Sequence, residues 1–157
     1  LFFFSDRPAA GIWTQAKDLG VPIHAISNPD DGPGMCAALN GARLVALAGY
    51  LKKVPPEVVR SFFVLNLHPS LLPKFGGRGM YGINVHRAVL AAGEKVTGIS
   101  IHRVNEQYDD GPLIFQASIP VPDGATPSSL ADEVRKLEHE HYPRVIWECY
   151  RRTEGLL

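Results

Sequence analysis

The chain of 157 residues has little cysteine and no charge imbalance: two cysteines, Cys36 and Cys149, and a formal net charge of zero. The cysteine spacing fits neither a zinc site nor a redox pair, so both read as reduced thiols of a cytoplasmic protein. Phosphate recognition usually leaves a basic footprint, and a balanced charge speaks against a nucleic-acid partner. No apolar run approaches the ~20 residues that a membrane span needs. The opening Leu1-Phe2-Phe3-Phe4 is too short for a signal peptide, lacks its basic flank and does not begin with Met. A chain that opens directly on a strand reads as a fragment.

What is present is globular. Apolar residues make up 45 % and charged residues 20 %, enough for a single domain over residues 1–157 with a real core. Leu1 to Phe4 reads as a fully buried strand. Ser5 or Asp6 can cap the helix that follows, Ala9 to Leu19, with Pro8 suited to its first turn and Gly20 to its end. Val21 to Ile26 is a second strand, Ser27 to Gly34 a loop, and Met35 to Leu39 a short helix. Arg43 to Ala48 is apolar on both faces, as parallel sheets require. Pro55 to Arg60 is a helical turn, Phe62 to Leu67 a strand, and Ile83 to Ala92 a helix ended by Gly93. Val96 to Val104 and Leu113 to Val121 read as strands. From Pro127 the pattern is helical, with Thr126 as N-cap and Pro143 expected to kink or interrupt the helix. Strands alternating with helices give an α/β fold with a doubly wound, mostly parallel sheet. The last two strands, joined by a loop alone, point to antiparallel pairing at one edge.

In such sheets ligands sit beyond the carboxyl ends of the strands. Asn66 and His68 stand at such an end, two residues apart and therefore on one face, and Pro69 helps to stop the strand. An amide and an imidazole suit a carbonyl reaction: each can donate to an oxygen gaining charge, and the imidazole can move a proton. The competing explanation is a strand end whose polar side chains satisfy loop backbone. Asp109 lies in "NEQYDDGP" (Asn105 to Pro112), a turn by composition. It follows a strand that could lie beside the one carrying His68, where a carboxylate can hold an imidazole protonated and relay a proton through water. "GGRGMYG" (Gly76 to Gly82) lacks the ending of a phosphate-binding P-loop. His139 and His141, at i and i+2 on a helix, face apart and do not suggest a metal site.

Taken together, "NLHPSLLPKFGG", Gly98 to His102, and "YDDGPLIFQ" resemble the folate-dependent formyltransferases, most closely their purine-synthesis branch, over nearly the whole chain. The resemblance implies a Rossmann-like sheet and transfer of the formyl group from 10-formyltetrahydrofolate to the amine of glycinamide ribonucleotide, without a metal. The family's catalytic Asn, His and Asp fall on Asn66, His68 and Asp109. A tetrahedral oxyanion would be stabilised by Asn66 and protonated His68, with Asp109 supporting that charge and passing a proton. Leu51, Lys52 and Val54, in "LAGYLKKVPP", would line the folate side, with the loop Val104 to Asp109, including Tyr108, as the other wall. Ser100 and His102 would support the catalytic residues from behind. Glu138, in "KLEHEHYP", matches a carboxylate that binds the nucleotide, which Gly49 and Pro69 would also contact. Partners would be small molecules, with no nucleic acid and no membrane, and with room for a homodimer.

Two departures stand out. Arg103 occupies a position that is usually aromatic or apolar in the family. The family also opens with an earlier strand and a Gly-Ser/Asn-rich loop that holds the substrate phosphate, and neither is present here. If nothing precedes Leu1, weak or absent turnover and an uncovered sheet edge are expected. Two further readings compete: a hydrolase releasing formate from the same donor, whose relatives carry His-His-Ser where this chain has His68-Pro69-Ser70, and a folate- or nucleotide-binding fragment without activity.

Overall fold

The apolar runs fold into six strands and the stretches between them into five helices in this computed structural model, which describes residues 1–7, 9–153 and 155. The order is β1 (Phe3–Ser5), α1 (Ile12–Asp18), β2 (Ile23–Ala25), α2 (Gly32–Ala38), β3 (Leu44–Leu47), α3 (Pro56–Ser61), β4 (Phe63–His68), α4 (Ile83–Ala91), β5 (Val96–Arg103), β6 (Leu113–Pro120) and α5 (Pro127–Thr153). The α/β class with flanking helices is the one that the pattern predicts. Pairing is parallel between β1 and β2 and between β3 and β4. It is antiparallel between β5 and β6, as expected, and also between β4 and β5.

β4 is one of the two inner strands of the larger sheet, and its alternation organises the core. Val64 faces one side, against Leu39, Val54, Val58 and Val59. Leu65 faces the other, against Ile101, Val145 and Cys149. Full burial of a leucine such as Leu65, 0 % exposed, stabilises the fold by roughly 1.5–3 kcal/mol. The Tyr142 hydroxyl, on α5, donates to the Leu47 carbonyl (2.8 Å) and lies 3.3 Å from that of Leu65, tying the helix across β3 and β4.

Several local expectations are corrected. Leu1 is 92 % exposed and Phe2 to Phe4 are only partly buried. Leu44, Val45 and Leu47 of β3 are partly buried and Ala46 is exposed. The reason is topological: β1 and β2 form one sheet and β3 to β6 another, so β1 and β3 each have a single strand neighbour among the described residues. An apolar run is buried only where other elements cover it. Helix α1 begins at Ile12 after Gly11 rather than at Ala9, without a side-chain cap. Ser5 Oγ instead accepts from the Arg7 amide (3.2 Å), and Asp6 pairs with Lys52 (3.4 Å). The expectation for Pro8 lies outside the described residues. Helix α2 reaches back to Gly32 because Asp31 caps it, its Oδ1 accepting from the Gly34 amide (2.9 Å). Pro143 does not interrupt α5. It removes one backbone donor, but Leu130, Val134, Val145 and Cys149 are buried along the same helix and hold it to the fold. Thr126 does cap α5: its Oγ1 accepts from the Ser129 amide (3.1 Å) while Ser129 Oγ accepts from the Thr126 amide (3.0 Å).

Candidate active site

The strand period carries Val64, Asn66 and His68 onto one face of β4. On β5, His102 lies directly opposite Asn66 and Ser100 directly opposite His68. A row that starts apolar thus turns polar toward the carboxyl end of β4. His68, Ser100 and His102 are all buried, at 3 %, 0 % and 1 % exposure, so each needs a partner.

The loop after β5 supplies the central one. Asp109 has a left-handed backbone, φ 52°, a costly conformation for a residue with a side chain and one that clusters at functional sites. Its carboxylate faces four groups. Oδ2 lies 3.4 Å from His68 Nδ1 and accepts from the Gly77 amide at 2.9 Å. Oδ1 lies 3.6 Å from His102 Nε2 and accepts from Asn66 Nδ2 at 3.4 Å. The neighbouring Asp110 instead accepts from Asn105 Nδ2 (3.0 Å) and serves the turn. Gly111 is required there, because a Cβ would collide with the Arg103 carbonyl.

A second loop, between β4 and α4, completes the cluster. Phe75 also has a left-handed backbone, φ 57°, and its carbonyl lies 2.7 Å from His68 Nε2. A carbonyl only accepts, so Nε2 carries a hydrogen and Nδ1 is the nitrogen turned toward Asp109. Gly76 allows the approach: a Cβ would stand 2.6 Å from Leu72 Cδ2 and 3.1 Å from Asp109 Cβ. His102 Nε2 lies 3.2 Å from Asn66 Nδ2, and its Nδ1 lies 3.2 Å from the Arg103 carbonyl.

The electrostatics are opposed by design of the site. Burial is the largest influence on His68 and pushes its imidazolium below the ordinary histidine range, against the pull of Asp109 and the Phe75 carbonyl, with His102 adding to the lowering. Burial pushes Asp109 up, but the His102 hydrogen bond, the His68 charge and the Gly77 amide outweigh it and leave the carboxyl below its usual range. The result is a carboxylate beside an imidazole that has an acceptor at each nitrogen, yet is reluctant to hold a second proton while the site carries no further negative charge.

The remaining expected residues divide. Leu51 and Tyr108 are 43 % and 44 % exposed, and Tyr108 lies close enough to Tyr50 to act on its hydroxyl, so the loops after β3 and β5 approach each other. Val54, 5 % exposed, belongs to the core rather than to an open wall. Val104 lines a cavity of about 290 Å³ with Val59, Arg103, Asn105, Glu106 and Pro112. The loop 104–109 is braced from α3 by Arg60, whose Nη2 lies 2.6 Å from Glu106 Oε1. Arg103 lays its guanidinium over Phe63 at 5.0 Å, filling by stacking a place that the family resemblance leads one to expect apolar. Gly49 turns the chain after β3 with φ 69°. Glu138, on α5, is raised by burial against Arg135 and His139; among the described residues it makes no hydrogen bond to the His68 cluster. Pro69 follows His68 directly, half-buried.

Sequence reasoning missed Phe75, Gly77, Gln116 and Tyr50. The first two act through backbone groups, which no side-chain pattern announces. Gln116 is paired with Ser100 across β5 and β6, a register that the sequence alone does not reveal. Among the described residues the buried Tyr50 hydroxyl has no hydrogen-bond partner, and it is pushed up by burial, Asp6, Asp30 and Tyr108; its position just after β3 is the one signal that could have found it.

Residues 35–146 match the family model described as formyl transferase. The chain is 42 % identical over 142 residues to the chloroplastic phosphoribosylglycinamide formyltransferase of Arabidopsis thaliana, covering 83 % of this chain and 49 % of the relative. It is 37 % identical over 152 residues to phosphoribosylglycinamide formyltransferase of Bacillus subtilis (strain 168), covering 90 % of this chain and 75 % of that protein. Among solved structures, glycinamide ribonucleotide transformylase 1 from Symbiobacterium toebii superposes with a TM-score of 0.86 at 32 % identity, over 99 % of this chain and 74 % of that one. The chain spans about half the length of the plant relatives, 49 % and 45 %.

Proposed function

The chain belongs to the formyl transferase family, and from that premise we propose that residues 1–157, as one domain, transfer the formyl group of 10-formyltetrahydrofolate to the amine of glycinamide ribonucleotide, a step of purine biosynthesis. The observation that carries the reading is the meeting of Asn66, His68 and Asp109 at the carboxyl end of β4.

The chemistry follows from that geometry. The substrate amine attacks the formyl carbon, a carbon–nitrogen bond forms, and the carbonyl oxygen becomes an oxyanion. Asn66 Nδ2 donates to it. His68, neutral at the start because it is buried, gains the incentive to take a proton only when that negative charge develops. The proton leaves the attacking nitrogen, passes through water along Asp109, and reaches His68 Nδ1, whose partner nitrogen is anchored on the Phe75 carbonyl. Collapse of the intermediate breaks the bond to the folate nitrogen, which takes the proton. The products are the formylated amide and tetrahydrofolate. The catalytic histidine therefore starts neutral and becomes charged during the reaction.

The pterin is assigned to the space between Leu51 and Lys52 on one side and Val104 to Tyr108 on the other, with Val54 supporting that wall from the core. Glu138, Gly49 and Pro69 are assigned to the nucleotide, and Ser100 and His102 to holding the catalytic residues in place. Among the described residues no helix is long and apolar enough to cross a membrane. We assign the activity to the cytoplasm; the Arabidopsis relative is named as chloroplastic.

The test is amine dependence. Incubated with a 10-formylfolate donor, the protein should release deformylated folate, read by absorbance, only when glycinamide ribonucleotide is added. Equal release without the amine would establish hydrolysis instead, and binding of folate with no release would establish an inactive binding fragment.

A further inference from the structure

A row of polar side chains continues past the catalytic strand. His68 on β4 lies opposite Ser100 on β5, and Ser100 lies opposite Gln116 on β6. Gln116 is exposed, yet its amide nitrogen reaches inward, donating to Ser100 Oγ (2.8 Å) and to the Leu72 carbonyl (3.1 Å). Ser100 Oγ also accepts from the Leu72 amide (2.8 Å) and donates to the Ser70 carbonyl (2.6 Å), which saturates it. Ser70 Oγ in turn donates to the Lys74 carbonyl (2.7 Å). The next residue is Phe75, whose carbonyl holds His68 Nε2, and two further on is Gly77, whose amide holds Asp109. Hydrogen bonds carry the chain from Gln116 to Lys74, and the backbone carries it on to the groups that hold His68 and Asp109.

We propose that Gln116 is a positioning residue for His68: through Ser100 it fixes the Ser70–Gly77 loop, so that the Phe75 carbonyl keeps the hydrogen on Nε2 and leaves Nδ1 to work with Asp109. The inference rests on the catalytic role proposed for His68, but its geometry stands independently of turnover. A glutamine is required in place of an apolar residue because Ser100 Oγ and the Leu72 carbonyl both accept from the one side-chain nitrogen. The charged and titratable groups that bear on His68 are Asp109, His102 and His86, and none of them is altered by a change at position 116.

The experiment compares wild type with Gln116→Met, which keeps the length and removes the donor without adding a charge, and with Ser100→Ala, which breaks the same chain at its middle. Nitrogen-15 chemical shifts of the His68 ring report which nitrogen carries the hydrogen, without any substrate. In wild type they should report hydrogen on Nε2. In both variants they should move toward a mixture of the two forms, and the His68 titration should move to lower pH as the Phe75 carbonyl is lost. In the turnover assay kcat should fall about tenfold with little change in KM, the pattern of a catalytic group displaced by a fraction of an ångström. Wild-type ring shifts and titration in a folded Gln116→Met protein would overturn the proposal, whatever the rate. The shifts remain readable even if no turnover is seen, so failure of the functional reading and failure of this one are separable.

Discussion

Replacing Asp109 by asparagine keeps the shape and removes the charge, together with the long hydrogen bond that Oδ1 accepts from Asn66 (3.4 Å). The amide oxygen can still accept from the Gly77 amide, now 2.9 Å from Oδ2, so the loop keeps its anchor. The larger loss is the attraction between the carboxylate and a His68 imidazolium at 3.4 Å. Two unit charges at that distance interact by about 5 kcal/mol at an effective dielectric constant of ~20, a ceiling that screening reduces. Because His68 is neutral before the reaction, the attraction is realised only as charge develops, so it appears in kcat and not in substrate binding. With each factor of ten equivalent to about 1.4 kcal/mol, kcat should fall on the order of 10³-fold. The assay is amine-dependent folate release, with KM for the nucleotide and the thermal midpoint measured alongside. A kcat within fivefold of wild type, at unchanged stability, would refute the argument that Asp109 acts through the charge on His68.

Acid should destabilise the fold earlier than carboxylate titration alone requires. His68 and His86 are both held below the ordinary histidine value, chiefly by burial, so the unfolded chain binds protons that the folded chain refuses. Their contribution is fully present above about pH 6.5 and is lost as pH falls from there through the lowered folded values. The thermal midpoint should therefore drop as pH falls below about 6.5, and His86→Gln should flatten that slope; a midpoint that stays constant as the pH is lowered would contradict it. Gly111→Ala should shift the loop bearing Asp109, because the new methyl meets the Arg103 carbonyl. Lost turnover, with loss of hydrogen-exchange protection at the Arg103 amide now bonded to Pro112 (2.9 Å), is the expected outcome; unchanged turnover and protection would show the turn to be more tolerant than the geometry allows.

The legible part of this protein was whatever depends on local spacing. Asn66 and His68 could be read because a strand places alternate residues on one face, and Thr126 because a cap is written in adjacent residues. The pairing of Ser100 with His68 and of Gln116 with Ser100 depends on register between distant strands, which local pattern does not encode. Phe75 and Gly77 contribute backbone groups, and their side chains carry no trace of the role. Asp109 and Asp110 are chemically equal as residues; the family resemblance picks Asp109, and the physical reason is the left-handed turn that aims it at His68 and leaves Asp110 with Asn105. The exposure of Ala46 and the partial exposure of Phe3 and Phe4 were illegible for a different reason: composition reports a preference for burial, while burial itself depends on which elements lie alongside.

The destination of the formyl carbon tests the central claim most directly. With a donor labelled with carbon-13 in the formyl group, and glycinamide ribonucleotide present, nuclear magnetic resonance should show the label appearing as an N-formyl amide on the nucleotide. Label accumulating as free formate, with the nucleotide unlabelled, would contradict the account.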